Sequence, residues 1–160
     1  MGNGQPVGAV ITRRELVEQF ARDTVFFSTF AGNQVSMAAA HAVLDVLADE
    51  RVLPRVVEAG LALRSAVRAA TEGHGSVGDV RGMGLANGIE IVLDRESRRP
   101  DPETAAAVKD GLRRRGVLVG TTGRHGNVLK VRPPLAFTAD LVPTFTTALV
   151  AALLEAQPQA

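Results

Sequence analysis

At 160 residues, with 46% apolar and 22% charged side chains, the chain has the size and composition of one soluble globular domain, or of one domain with a short leading segment. Its formal charge of +1, from 18 basic and 17 acidic residues, gives no reason to expect nucleic acid or an anionic membrane as a partner. Cysteine is absent, which excludes disulfides, thiolate catalysis and thiolate metal sites. No uncharged apolar run approaches the ~20 residues of a membrane span, and residues 1–11 lack the basic and apolar regions of a signal peptide, so the expected setting is cytoplasmic.

In chain order, residues 2–11 read as a glycine-rich loop feeding a short strand over 7–11. Thr12 and Glu15 have capping-box spacing and predict a helix to about Ala21. Residues 25–32, rich in Phe, Thr and Gly, read as a buried loop. The Ala-rich stretch 34–47 predicts a helix, with His41 partly buried in it. A second helix runs to about Ala70, with Pro54 in its first turn and an apolar stripe of Leu53, Val57 and Leu61 joined by Val56, Gly60, Leu63 and Val67. Residues 77–81 and 85–93 predict strands around Gly82-Met83-Gly84. Asp101, Pro102 and Glu103 open a helix that Arg113-Arg114-Arg115-Gly116 closes, the arginines reading as a solvated end. Strands follow over 117–121 and 128–131, and Thr138 caps a final helix with Leu141, Phe145, Leu149 and Leu153 at four-residue spacing. Residues 157–160 are expected to fray.

The order α-α-β-β-α-β-β-α from Gln34 predicts a two-layer α/β sandwich: a small, largely antiparallel four-stranded sheet with helices on one face. Residues 1–33 read as a segment belonging to another domain, and 34–156 as the sandwich with its connecting helix.

Few residues point to chemistry. His41, His74 and His125 have no metal-ligand spacing, and no glycine-rich stretch has phosphate-loop form. Gly82 and Gly84 fit turn positions. The stretch Ser28-Thr29-Phe30-Ala31-Gly32-Asn33 sets two hydroxyls and a glycine ahead of a helix start, where backbone N–H groups and the helix dipole favour a phosphate; the same arrangement also serves as an ordinary cap.

Four blocks carry a family resemblance: Gly2-Asn3-Gly4-Gln5-Pro6-Val7-Gly8-Ala9-Val10, Phe27-Ser28-Thr29-Phe30-Ala31-Gly32-Asn33, Arg81-Gly82-Met83-Gly84-Leu85, and Asn127-Val128-Leu129-Lys130-Val131-Arg132-Pro133-Pro134-Leu135. In order and spacing the chain resembles the C-terminal portion of class III aminotransferases, nearest the alanine–glyoxylate aminotransferase and phosphoethanolamine phospho-lyase subgroup. The resemblance implies a fold-type-I enzyme dependent on pyridoxal 5'-phosphate (PLP), usually a homodimer with active sites at the subunit boundary. It gives Thr29, beside Ser28, a contact with the PLP phosphate of the neighbouring subunit. It gives a basic residue ahead of the Pro-Pro pair the grip on the substrate carboxylate. Register favours Lys130, whereas bidentate chemistry favours Arg132; strand alternation would put both on one face.

The family's Schiff-base lysine falls ahead of the Gly-Asn-Gly block, at a position that would precede Met1, and Asp49-Glu50-Arg51-Val52 only imitates the family's acidic motif. Lys109 and Lys130 are the sole lysines, and neither matches the family lysine. The expectation is therefore part of a transaminase, inactive by itself, whose partner is a large domain or a second copy. The alternative is a non-catalytic module that binds a small ligand or dimerises.

Overall fold

The computed structural model describes residues 2–49 and 51–156; the tail 157–160 and Glu50 of the acidic stretch lie outside them. The chain divides into two compact units, Met1–Val52 and Leu53–Ala160.

The first unit holds α1 (Arg14–Asp23) and α2 (Gln34–Asp49). Its opening turn is closed by the Gln5 amide donating to Gly2 O at 3.1 Å, and the Gln5 side chain donates to the Ser36 hydroxyl at 2.9 Å. Residues 7–11 do not form the expected strand, because no partner strand lies alongside them among the described residues, and Val10 and Ile11 are exposed. Helix α1 begins after Arg13, whose carbonyl accepts the first helical bonds, so Thr12 lies outside the capping position and makes no cap. The loop over 25–32 is open rather than buried, with Phe26, Phe27 and Phe30 at 70%, 82% and 81% exposure. His41 is likewise exposed, 3.6 Å from Asp45 one turn on. No apolar side chain between residues 2 and 49 is buried.

The second unit is built around α3 (Val52–Ala70), β1 (Val77–Met83), β2 (Ala86–Ile91), α4 (Pro102–Arg114), β3 (Gly120–Thr122), β4 (Val128–Val131) and α5 (Val142–Ala156). The strands form one antiparallel sheet in the order β1-β2-β4-β3, the architecture the element order predicts. Ile89, Ile91, Leu129 and Val131 face a core completed by Leu63 and Val67 of α3, Val108 and Leu112 of α4, and Phe145, Leu149 and Leu153 of α5. The alternate strand residues, among them Asp79, Arg81, Glu90 and Lys130, stand outside that core.

Local chemistry explains the element ends. Asp101 caps α4 by accepting from the Thr104 amide at 2.9 Å, with Pro102 in the first turn. The helix stops in a Schellman motif: Val117 N–H donates to Leu112 O, Gly116 N–H donates to Arg113 O, and Gly116 takes a positive φ of 78°. That motif engages Val117, so β3 begins at Gly120 and not at the expected residue 117. The expected apolar stripe on α3 holds in part. Val52, Ala59, Leu63 and Val67 are buried, while Leu53, Val57 and Leu61 are exposed. Before α5, Thr138 precedes a 3-10 turn (Ala139–Leu141) and closes it through its carbonyl, not its hydroxyl.

Helices α4 and α5 meet where Gly111 leaves no room: a Cβ there would come within 3.0 Å of the Ala152 Cβ. Arginines then tie the pair. Arg114 and Arg115 reach Glu155 at 2.6 and 2.8 Å, and Arg113 and Arg114 also engage Asp110, so the helix end, exposed as expected, also carries an ion-pair network. The segment Ala139–Ala156 is long and apolar enough to cross a membrane by length and composition alone, but Phe145, Leu149 and Leu153 spend its apolar face on the core.

Leu149→Ala should destabilise the second unit by about 2–5 kcal/mol through the cavity it leaves, measured by urea unfolding. Arg115, then Arg114, hold the Glu155 carboxyl below its ordinary 4.5. A depressed folded-state value contributes stability that is present above the ordinary value and lost as pH falls through the folded one. The thermal midpoint of Glu155→Gln should accordingly lie slightly below that of the parent at neutral pH and converge with it as the pH falls below the ordinary carboxylate range.

Candidate functional site

In the first unit the Ser-Thr-Phe-Ala-Gly-Asn loop is organised from within. The Ser28 hydroxyl accepts from the Ala31 amide at 3.2 Å, and the Asn33 side chain donates to Phe30 O at 3.0 Å. Gly32 sits at a φ of 68°, a conformation that costs a side-chain-bearing residue energy. Asn33 caps α2, its Oδ1 accepting from the Ser36 amide at 2.9 Å. Ser36 is also the acceptor for Gln5, so two of the family-like blocks converge on the first turn of α2.

These bonds divide the two candidate hydroxyls. Ser28 is committed to shaping the loop. Thr29 is exposed and, among the described residues, has no hydrogen-bond partner. The sequence offered the two as a pair; in the structure Ser28 accepts a bond within the loop while keeping its own O–H, and Thr29 has no bond at all among the described residues.

In the second unit the Arg-Gly-Met-Gly block is the turn of the β1–β2 hairpin. Gly84, at a φ of 52°, comes so close to α3 that a Cβ on Gly60 would lie 2.1 Å from its carbonyl oxygen. Arg64 donates to that same oxygen and to Asn87 Oδ1, both at 2.9 Å. The block is therefore architectural, as its glycines suggest. Asn127, at the head of the last block, is buried and donates to Ile91 O at 2.8 Å, fixing the entry to β4.

Lys130 lies on β4 with Gly88 opposite on β2 and Gly120 opposite on β3. Its neighbours Leu129 and Val131 point into the core, which sets Lys130 on the other sheet face. The flanking glycines leave space for its chain to lie over β3: Lys130 Cε is 3.3 Å from the position a Gly120 Cβ would take. No carboxylate or other partner engages its ammonium among the described residues.

Arg132 follows the end of the strand. Strand β4 ends at Val131, so the alternation that would align the two cations stops, and Arg132 is exposed beside a cavity of about 320 Å³ lined also by Val131, Pro133, Phe137 and Phe145.

Pyridoxal phosphate needs a phosphate cradle, an amine to condense with its aldehyde and an acid at its ring nitrogen. The Thr29 loop suits the first. For the second, the first unit holds no lysine; Lys109 is half-buried on α4 and Lys130 is on the sheet. The chain thus fits the phosphate end of the cofactor and not its reacting end. No group of His, Asp or Glu among the described residues is placed to hold a metal.

The model of the class III aminotransferase family matches residues 1–153. An ethanolamine-phosphate phospho-lyase homolog of Caenorhabditis elegans is 40% identical over 150 residues, which cover 93% of this chain and 32% of the relative. A mitochondrial alanine–glyoxylate aminotransferase 2 homolog of Arabidopsis thaliana is 39% identical over 140 residues, 88% of this chain and 29% of the relative. Among solved structures, an Arthrobacter phospholyase in complex with phosphoethanolamine superposes with a TM-score of 0.87 at 41% identity, over 96% of this chain and 36% of that one. A Bacillus anthracis aminotransferase gives 0.80 at 29% identity, over 89% of this chain and 34% of that one. The chain spans about a third of the length of the relatives it matches. With all but its last few residues matched by the family model, the chain belongs to the class III aminotransferases.

Proposed function

We propose that this chain acts as the C-terminal part of a PLP-dependent enzyme that transfers an amino group between an amino donor and a 2-oxo acid. By itself it does not transaminate. The observation that carries this reading is the contrast between a free hydroxyl at Thr29, in a loop leading into α2, and the lack of any lysine in that unit. When bound, PLP supplies an aldehyde and an electron sink; the amine that must hold it comes from outside these residues.

Within that enzyme Thr29 donates a hydrogen bond to the cofactor phosphate, and Ser28 keeps the loop in the shape that presents it. Lys130 attracts the acidic group of the substrate: it is unpaired, and Gly88 and Gly120 leave it room to swing. Arg132 is the second candidate for that contact. An ammonium is a point charge, without the planar fork that matches a carboxylate, so Lys130 serves a phosphate as readily. That favours a phospho-lyase as a second reading, consistent with the names of the relatives at 40% and 41% identity.

The partner under either reading is a large domain or a second copy of the chain. The exposed Phe26, Phe27 and Phe30 in the first unit, with Val25 beside them, form the kind of apolar surface that another surface covers. A cytoplasmic setting belongs to the same proposal and accords with the absence of cysteine.

Incubation of the purified chain with PLP and borohydride should leave Lys109 and Lys130 unmodified by mass spectrometry, and no amino transfer should be detected; a stoichiometric adduct would overturn the reading. In an enzyme carrying this chain as its C-terminal part, Thr29→Val should weaken PLP binding about tenfold, the loss of one charge-assisted hydrogen bond, followed by cofactor absorbance. Lys130→Ala should raise KM for the acidic substrate by a similar factor.

A further inference from the structure

On the second unit, the C-terminal turn of α3, the start of β1 and the loop after β2 enclose a cleft of about 490 Å³. Three arginines line it: Arg68 from α3, and Arg95 and Arg98 from the loop. Two of them are held in place by main-chain carbonyls. Arg68 Nη2 donates to Val80 O at 2.7 Å, and Arg95 donates through Nε to Val77 O at 3.0 Å and through Nη2 to Thr71 O at 3.1 Å. Strand β1 is an edge of the sheet, so the bonds to Val77 and Val80 occupy carbonyls that no neighbouring strand reaches, while Thr71 O lies in the turn after α3. A neutral carbonyl fixes a guanidinium without cancelling its charge, and each guanidinium keeps further N–H donors.

The acids nearby do not supply the missing charge. Asp79 lines the cleft, but its carboxylate accepts from Arg81 at 3.0 Å, and Arg81 also bridges to Glu90 at 2.9 Å. Glu72 is the other acid in the lining, and it forms no ion pair with any of the three arginines. Elsewhere in this unit Arg81, Arg113, Arg114 and Arg115 all find carboxylates. Arg64, Arg99, Arg124 and Arg132 make no ion pair among the described residues either, but the cleft brings three such arginines together.

Closure of the sheet edge accounts for Arg68 and Arg95. It does not account for Arg98, whose side chain makes no hydrogen bond or ion pair among the described residues. Its backbone has a φ of 51°, a left-handed conformation that costs a non-glycine residue energy. The turn that imposes it is firmly made: Asp94 accepts from the Ser97 amide at 2.7 Å and from the Ser97 hydroxyl at 2.6 Å, and the Arg98 amide donates to Asp94 O. A glycine would satisfy this turn at lower cost. An arginine there, facing a cleft that already holds two oriented and unneutralised guanidiniums, has a use only when an anion arrives.

We propose that this cleft binds a small phosphorylated anion, with Arg68 and Arg95 as fixed donors and Arg98 as the group that closes on it. The volume exceeds what one phosphate fills, so the ligand carries its phosphoryl group on a small organic or second phosphoryl body. None of these residues belongs to those proposed to contact PLP or the substrate, and the inference stands independently of that reading.

Titration of the purified chain with inorganic pyrophosphate at low ionic strength, followed by amide NMR, should give saturable shifts clustered at Thr71, Gly78, Arg95 and Arg98. Arg98→Gly should weaken binding about tenfold while the thermal midpoint stays level or rises, because glycine takes the left-handed turn without strain; Arg98→Ala should lose affinity to the same extent. This pairing separates a ligand-binding arginine from a structural one, whose loss would lower the midpoint. Shifts confined to residues 28–36 would move the anion to the first unit and overturn the proposal. So would equal affinity in the Arg98 variants, or identical shifts produced by sodium chloride at matched ionic strength.

Discussion

Burial of one face of the sheet beneath α3, α4 and α5 is the constraint on which the second unit depends. Ile89, Ile91, Leu129 and Leu149 are essentially inaccessible to solvent, and each ordered residue around them must recover roughly 1–2 kcal/mol of backbone entropy from such contacts. Everything else in the unit is arranged so that this face can close. Gly111 lets α5 approach α4, Gly60 lets the hairpin turn approach α3, and Asn127 satisfies the carbonyl of Ile91 where β2 leaves the sheet. The first unit has no comparable closure. Its α1 has ten residues, with Leu16, Val17 and Phe20 exposed, and helices this short are marginal in water without a packed face. Its apolar residues therefore find no covering surface within that unit.

That asymmetry explains what was legible in the sequence. From Val77 onward nearly every element is recoverable from pattern, because period, caps and turn glycines agree with the packing: Asp101 caps α4, Gly116 ends it, and the spacing of Phe145, Leu149 and Leu153 matches a buried helix face. On α3 the expected stripe holds at Gly60, Leu63 and Val67, which are buried, and fails at Leu53, Val57 and Leu61, which are exposed. Val56 and Val57, like Leu61 and Leu63, occupy adjacent faces of a helix that is apolar on both, and only tertiary contact decides between them. Residues 7–11 have the composition of a strand, but a strand exists through its neighbour, and sequence cannot show that no neighbour is present. The buried loop expected over 25–32 failed for the same reason.

The candidate site was readable as residue types and unreadable as geometry. Ser28 and Thr29 are equivalent in sequence; the hydrogen bond from Ala31 to Ser28 separates them. Lys130 and Arg132 are two residues apart on what alternation presents as one face, Lys130 within β4 and Arg132 just past its end at Val131. The space around Lys130 depends on Gly88 and Gly120, which lie 42 residues before and 10 residues before it in sequence and become its neighbours only through strand pairing. The arginine-lined cleft left no sequence signal at all, since Arg68, Arg95 and Arg98 come from separate segments and resemble ordinary surface charge until the edge of β1 gathers two of them.

Charge placement gives the last step. Four carboxylates of the second unit are committed: Asp110 and Glu155 to the helix-end arginines, Asp79 and Glu90 to Arg81. Exposed pairs of this kind contribute little stability individually, so their larger consequence is to remove anions from competition for the remaining cations. Lys130 on the open sheet face and Arg98 in the cleft are left without acid partners. A cation that a nearby acid could neutralise would have to lose that acid before it took a ligand. One flanked by glycines, or held in a strained turn, pays no such exchange and presents its charge to whatever anion enters. Within the second unit, Lys130 and Arg98 thus carry charge that no carboxylate among the described residues offsets by pairing.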